Sequence, residues 1–236
     1  MRVDGRANDE LRNIRVTKDF MKNSAGSCLI EWGNTRILVT ANYEMQVPKF
    51  LLDEGRGWLT AEYSMLPGST IVRKQRERGK TDSRGTEIQR LIGRSLRSIV
   101  DFEKIPRMTI TIDADVIEAD GGTRTASITG GYIALKLLVR KLLKERIIKE
   151  DPLKSGLAAV SCGIVKEEAL LDLCYMEDSN AIADMNFVGN EKGEIAEIQI
   201  SGEKRTVRDE EFFALLKLAK KGIAELIEIQ RSVLED

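Results

Sequence analysis

The sequence predicts an α+β, or mixed α/β, fold in two subdomains. Three observations predict it. Apolar Ile110, Ile112, Ala114 and Val116 alternate with Thr111, Asp113 and Asp115 over Met108–Ile117, the period-two pattern of a half-buried strand. Residues 86–100 and those beyond Thr206 switch to the helical period. Ile88, Leu91, Ile92, Leu96, Ile99 and Val100 form one apolar stripe, and Phe212, Leu215, Leu216, Ala219, Ile223, Leu226 and Ile227 form another. Between them, Asp151-Pro152 and Ser155-Gly156 punctuate the chain and divide it into residues 1–150 and 151–236. Each part reads as strands followed by helix.

Taken in order, Ser27–Trp32 and Thr35–Tyr43 flank the tight-turn pair Gly33-Asn34 and predict a β-hairpin. A glycine-rich stretch, Asp53–Gly57, leads into Trp58–Met65 and the turn Pro67-Gly68. Residues 73–84 are basic without apolar periodicity, which predicts an exposed loop. The helix over 86–100 carries Arg90, Arg94 and Arg97 on a separate face. After the strand at Met108–Ile117, Gly121-Gly122 turns the chain into a helix running to about Ile147, with Ile128, Leu135, Leu138, Val139, Leu142 and Leu143 inside. Beyond the boundary come strands at Leu157–Val165, Leu170–Tyr175 and Ile195–Ser201, then a last helix entered near Thr206–Asp209.

Composition narrows the chemistry. The 236 residues include 37 basic, 38 acidic and no histidine. Histidine-based triads, HExxH zinc sites and imidazole proton shuttles are excluded, which leaves carboxylates, lysines, arginines, hydroxyls, backbone amides or a bound metal. Cys28, Cys162 and Cys174 lie in apolar stretches with no CxxC spacing, and read as buried thiols of a reducing compartment. The charged first twenty residues show no signal peptide, and no apolar run suffices to span a bilayer, so the expectation is a cytoplasmic protein with no membrane partner. A net charge of −1 hides a marked asymmetry. Residues 73–97 hold nine basic and three acidic side chains, a charge of +6 that leaves −7 for the rest. Such asymmetry marks a phosphate or nucleic-acid surface.

Three constellations carry candidate chemistry. In Ala119–Thr125 a strand ends, two glycines turn the chain and a helix begins, offering free backbone N–H groups and a positive dipole end to an anion. Thr123 adds a hydroxyl and Arg124 a planar fork suited to phosphate oxygens. The same residues also fit an ordinary strand-to-helix turn with an N-cap threonine. In the second, Asp178 and Asp184 would share one hard cation if the chain between them folds back, or else belong to a solvated acidic loop. The third is the basic segment, either a phosphate track continuous with Arg84 and the arginine-bearing helix, or a charged surface loop.

Read together, these stretches resemble the ribonuclease PH family, in its bacterial form. The resemblance is carried by Arg2–Arg6, Gly57–Pro67 (GWLTAEYSMLP), Arg84–Arg94 (RGTEIQRLIGR), Ala119–Ala126 (ADGGTRTA), Glu177-Asp178 and Asp184-Met185-Asn186, in family order across nearly the whole chain. Ala183, Gly85-Thr86 and Ile200-Ser201 depart from the commoner family residues, and none of them removes a phosphate ligand or carboxylate.

The resemblance implies a phosphate-dependent 3′→5′ exoribonuclease that trims precursor tRNA 3′ ends and releases nucleoside diphosphates. It implies two βαβα-type subdomains like the second domain of ribosomal protein S5, and a homohexameric ring built as a trimer of dimers. Phosphate would be held by Arg84, Gly122, Thr123 and Arg124. Asp178 and Asp184 would be the catalytic, Mg2+-associated carboxylates. Arg73, Lys74, Arg76, Arg78 and Lys80 would contact RNA. The nearest rival is a catalytic ring subunit of the archaeal exosome, against which the GWLTAEY and DGGTRTA runs speak. A non-catalytic RNA-binding ring subunit would be expected to lose the carboxylates or the phosphate arginines, and both are present.

Overall fold

The computed structural model describes residues 2–76 and 83–235. Its first sheet has five strands: β1 (Ile14–Lys18), β2 (Gly26–Trp32), β3 (Thr35–Glu44), β4 (Trp58–Met65) and β5 (Thr109–Glu118), in the order β1-β2-β3-β5-β4. The β2–β3 hairpin closes where the pattern places it, with Trp32 opposite Thr35 and Gly33 at φ 57°, a conformation glycine adopts without steric cost. Strands β4 and β5 are the sheet's parallel pair, and α1 (Ser83–Arg97) makes the crossover between them. The helix α2 (Thr123–Lys144) follows β5, so β4-α1-β5-α2 is a βαβα unit and the earlier strands extend its sheet.

The second sheet is antiparallel, β7-β6-β8-β9, from β6 (Leu157–Val165), β7 (Glu168–Leu171), β8 (Ala183–Asn190) and β9 (Ile195–Gly202). A one-turn helix α3 (Tyr175–Asp178) stands between β7 and β8, and α4 (Asp209–Glu235) ends the chain. Helix α2 lies between the two sheets. Gly130 faces Cys28, Ile30 and Val39 of the first, while Thr129 exchanges hydrogen bonds with the Ala159 backbone of the second. Ser161 of β6 faces Gly122 of α2 and its neighbour Val160 faces Gly222 of α4, so the two helices take opposite faces of the second sheet. One hydrophobic core runs through all these layers, from Trp32 and Ile37 to Leu215 and Leu226.

The structure differs from the sequence pattern in three places. The strand expected over Leu170–Tyr175 is Glu168–Leu171, because Asp172 adopts φ 56° and turns the chain out of the extended region, and Tyr175 already opens α3. Asp178 is the last residue of α3 and Asp184 lies on β8, with an exposed turn starting at Ser179 joining the two elements. Strand β1 and strand β8 had no counterpart in the sequence pattern. Strand β8 is buried on both faces, so its residues do not alternate. The cysteines are unpaired and buried as expected, and burial pushes the Cys28 thiol up to about 12. Among the described residues no helix is long and apolar enough to cross a membrane.

Candidate functional site

The turn Asp120-Gly121-Gly122 fixes where α2 starts. Thr35 Oγ1 accepts from Asp120 N at 2.9 Å and donates to Gly121 O at 2.7 Å, while Arg12 Nη1 donates to Asp120 O at 2.6 Å. Gly121 and Gly122 both have left-handed φ, 78° and 67°. A side chain at Gly121 would lie 2.7 Å from Leu173 O and 2.8 Å from Tyr175 N, so glycine lets the turn press against the entry to α3. The Asp120 carboxylate then accepts from Tyr175 N at 3.2 Å, tying the two helix starts together. Gly122, rather than Thr123, is the N-cap of α2. It supplies no side-chain cap, and no acidic residue stands in the first turn. The amides and dipole of a 22-residue helix therefore face the site without a competing carboxylate of their own helix. Thr123 is buried at N1, and its Oγ1 accepts from Tyr63 Oη at 2.9 Å.

Asp178 and Asp184 approach this point from the second sheet. On α3, Glu177 accepts from Cys174 N at 3.2 Å and from Arg2 at 2.7 and 2.8 Å, which anchors the turn carrying Asp178. Asp184 lies on β8 opposite Gly163 and Ser201, and its Oδ2 accepts from Asn186 Nδ2 at 3.5 Å. The protein around the Asp178 carboxyl raises its pKa, against the attraction of Arg124 and Arg84. Asp184 is raised by burial, then by the charges of Asp178 and Glu203, again against Arg124. Two arginines and two carboxylates from four elements thus share one electrostatic neighbourhood: Arg84 on α1, Arg124 on α2, Asp178 on α3 and Asp184 on β8.

No cluster of three or more potential metal ligands occurs among the described residues. Magnesium does not require one, since it takes one or two carboxylates and completes its shell with water and substrate phosphates. An exposed Asp178 whose charge raises the proton affinity of a half-buried Asp184 makes a donor pair suited to a hard dication.

Of the basic segment, Arg73 and Arg76 are exposed and Lys74 half-buried, while Arg78 and Lys80 lie outside the described residues. Lys74 and Arg76 line a cleft of ≈ 550 Å³ with Tyr63, Pro67 and Gly85. Through Gly85, next to Arg84, and Tyr63, bonded to Thr123, that cleft borders the arginine–carboxylate site. Sequence reasoning passed over Gln199, Glu203 and Asp172. Gln199 Oε1 accepts from Arg124 Nη1 at 3.3 Å, and Glu203 raises both carboxylates. Asp172 binds Arg12 and Trp32 beneath the site.

Comparison with known proteins agrees with this architecture. Residues 10–141 match the model of the 3′ exoribonuclease family, domain 1, and residues 157–222 match domain 2 of the same family, the RNase PH domains. Rice (Oryza sativa) Rrp46 is similar in structure, with a TM-score of 0.80 at 18% identity over 99% of this chain and 100% of that one. The Archaeoglobus fulgidus exosome with RNA bound to the active site gives 0.78 at 21% identity, over 96% and 91% of the two chains. An archaeal exosome core gives 0.77 at 20% identity, over 98% and 91%. At these identities the structures share the fold, and the matches reach the family without singling out its bacterial form.

Proposed function

Because the chain belongs to the 3′ exoribonuclease family over both of its domains, we propose that it is a phosphate-dependent 3′→5′ exoribonuclease. Arg84, Gly122, Thr123 and Arg124 are its phosphate ligands and Asp178 and Asp184 its catalytic carboxylates. The observation that supports this most is the gathering of two arginines and two carboxylates around one uncapped helix N-terminus.

Inorganic phosphate is already ionised near neutral pH, so a chain without histidine needs no strong base to make its nucleophile. Arg84, Arg124 and the α2 amides hold the phosphate in line with the last phosphodiester of the RNA. A phosphate oxygen bonds to phosphorus and the P–O3′ bond breaks. One carboxyl of the Asp178–Asp184 pair delivers a proton to the departing 3′-oxygen, and a nucleoside diphosphate leaves. Asp178 and Asp184 would hold magnesium, which when bound would offset the charge that develops on the transferring group. Arg73, Lys74 and Arg76, with Arg78 and Lys80, track the RNA backbone towards the site.

The finer identity has two forms. A cytoplasmic homohexamer that trims precursor tRNA 3′ ends rests on the motif resemblance. A catalytic subunit of an exosome-type ring is favoured, on fold alone, by the archaeal exosome structures. Both share the same reaction, which one product assay tests. A 3′-tailed RNA should yield nucleoside diphosphates only when inorganic phosphate and magnesium are both supplied. Nucleoside monophosphates, or turnover without phosphate, would overturn the proposal.

A further inference from the structure

Arg124 leaves the first turn of α2 and is held from both sheets' sides. Its Nη1 donates to Glu87 Oε1 on α1 at 3.5 Å and to Gln199 Oε1 on β9 at 3.3 Å. Both contacts fall on the same nitrogen. The guanidinium edge formed by Nη2 and Nε is used by neither, and that edge has the two-pronged geometry that fits a pair of phosphate oxygens.

Strand pairing sets the place of Gln199. It lies directly opposite Asn186 of β8, so its side chain emerges on the same sheet face as Asn186 and as Asp184, two residues earlier. Its amide is also oriented. Gln199 Nε2 donates to Glu197 Oε1 at 3.4 Å, and Glu197 in turn accepts two hydrogen bonds from Arg94 of α1, one of them from Nε to Oε2 at 2.6 Å. With the amino group turned to Glu197, the carbonyl oxygen faces Arg124. The relay Arg94–Glu197–Gln199–Arg124 therefore runs from α1 across β9 to the start of α2, over the line where the two halves meet.

We propose that Gln199 is a positioning residue for phosphate. It aims the Arg124 guanidinium, and its relay to Glu197 and Arg94 fixes that aim relative to Asp184. A neutral amide suits the task, because it accepts from the guanidinium without adding a negative charge to compete with the anion. The inference rests on Arg124 being a phosphate ligand.

Steady-state kinetics on the full chain separate this role from a merely structural one. Inorganic phosphate is varied at saturating RNA, and RNA at saturating phosphate, for the wild type, Gln199→Ala and Gln199→Glu. Gln199→Ala should raise the phosphate KM about tenfold, the scale of a lost hydrogen bond to a charged group, with kcat and the RNA KM within about twofold. Gln199→Glu has the same shape but brings a charge, and should raise the phosphate KM further. An unchanged phosphate KM would overturn the role, as would a fall in kcat with both KM values shifted together. Equilibrium dialysis of inorganic phosphate provides a reading independent of turnover. An inactive wild type would refute the proposed reaction, whereas equal phosphate affinity in wild type and Gln199→Ala would refute the positioning role.

Discussion

Arg124 concentrates the chemistry at the residue scale. It sits in the first turn of α2, where nothing acidic on its own helix offsets the amide dipoles, and its charge bears on both Asp178 and Asp184. Arg124→Ala should abolish phosphorolysis and leave RNA retention in a filter-binding assay largely intact, since Arg73 and Arg76 lie on a different, exposed stretch. Loss of RNA binding would instead make Arg124 part of the RNA track. The six residues proposed for the site, Arg84, Gly122, Thr123, Arg124, Asp178 and Asp184, each lie in a short motif that can be read along the chain. Their partners cannot be read that way. Tyr63 meets Thr123 across 60 positions of sequence and Gln199 meets Arg124 across 75, and no local pattern encodes such pairings.

At the scale of elements, the segment before β1 acts as a strap beneath the site. Asp172, which ends β7, accepts from Arg12 N, Nε and Nη2 at 2.7, 3.0 and 2.7 Å and from Trp32 Nε1 at 2.8 Å. Five residues on, Arg2 holds Glu177, so the strap reaches α3 as well. The Arg12–Asp172 pair is almost fully buried, with 6% and 1% of the side chains exposed. Breaking it strands a buried guanidinium. Asp172→Asn tolerates the left-handed backbone at this position, yet should lower unfolding stability by ~3 kcal/mol in urea titration. A loss near zero would show that the strap is dispensable. The same residue explains why the strand expected through Tyr175 stops early. A run of apolar residues signals burial, but only the side-chain partners of Asp172 dictate the turn.

For the whole molecule, the two halves supply complementary parts. The helices of the first half bring Arg84 and Arg124, and the second half brings Asp178 on α3 and Asp184 on β8. Exposed apolar side chains flank the first half: Ile71 is 101% exposed, Val72 81%, Phe50 65% and Met45 60%. Such surface suits association with further chains. Light scattering on the purified protein should report a homohexamer. A stable monomer that forms rings only when a second protein is added would favour the exosome-type reading.

By itself the sequence determined the fold class, the β2–β3 hairpin, the helices α1, α2 and α4, and the identity of the charged groups. Periodicity, turn residues and composition are properties of neighbouring residues, so they can be read along the chain. Only the tertiary structure decided that the groups converge. Gly121 must come within contact of Leu173 and Tyr175 before Arg124 and Asp178 share one field, and β9 must pair with β8 before Gln199 reaches Arg124. Those approaches depend on how two sheets pack around α2, and packing joins residues that the sequence keeps far apart.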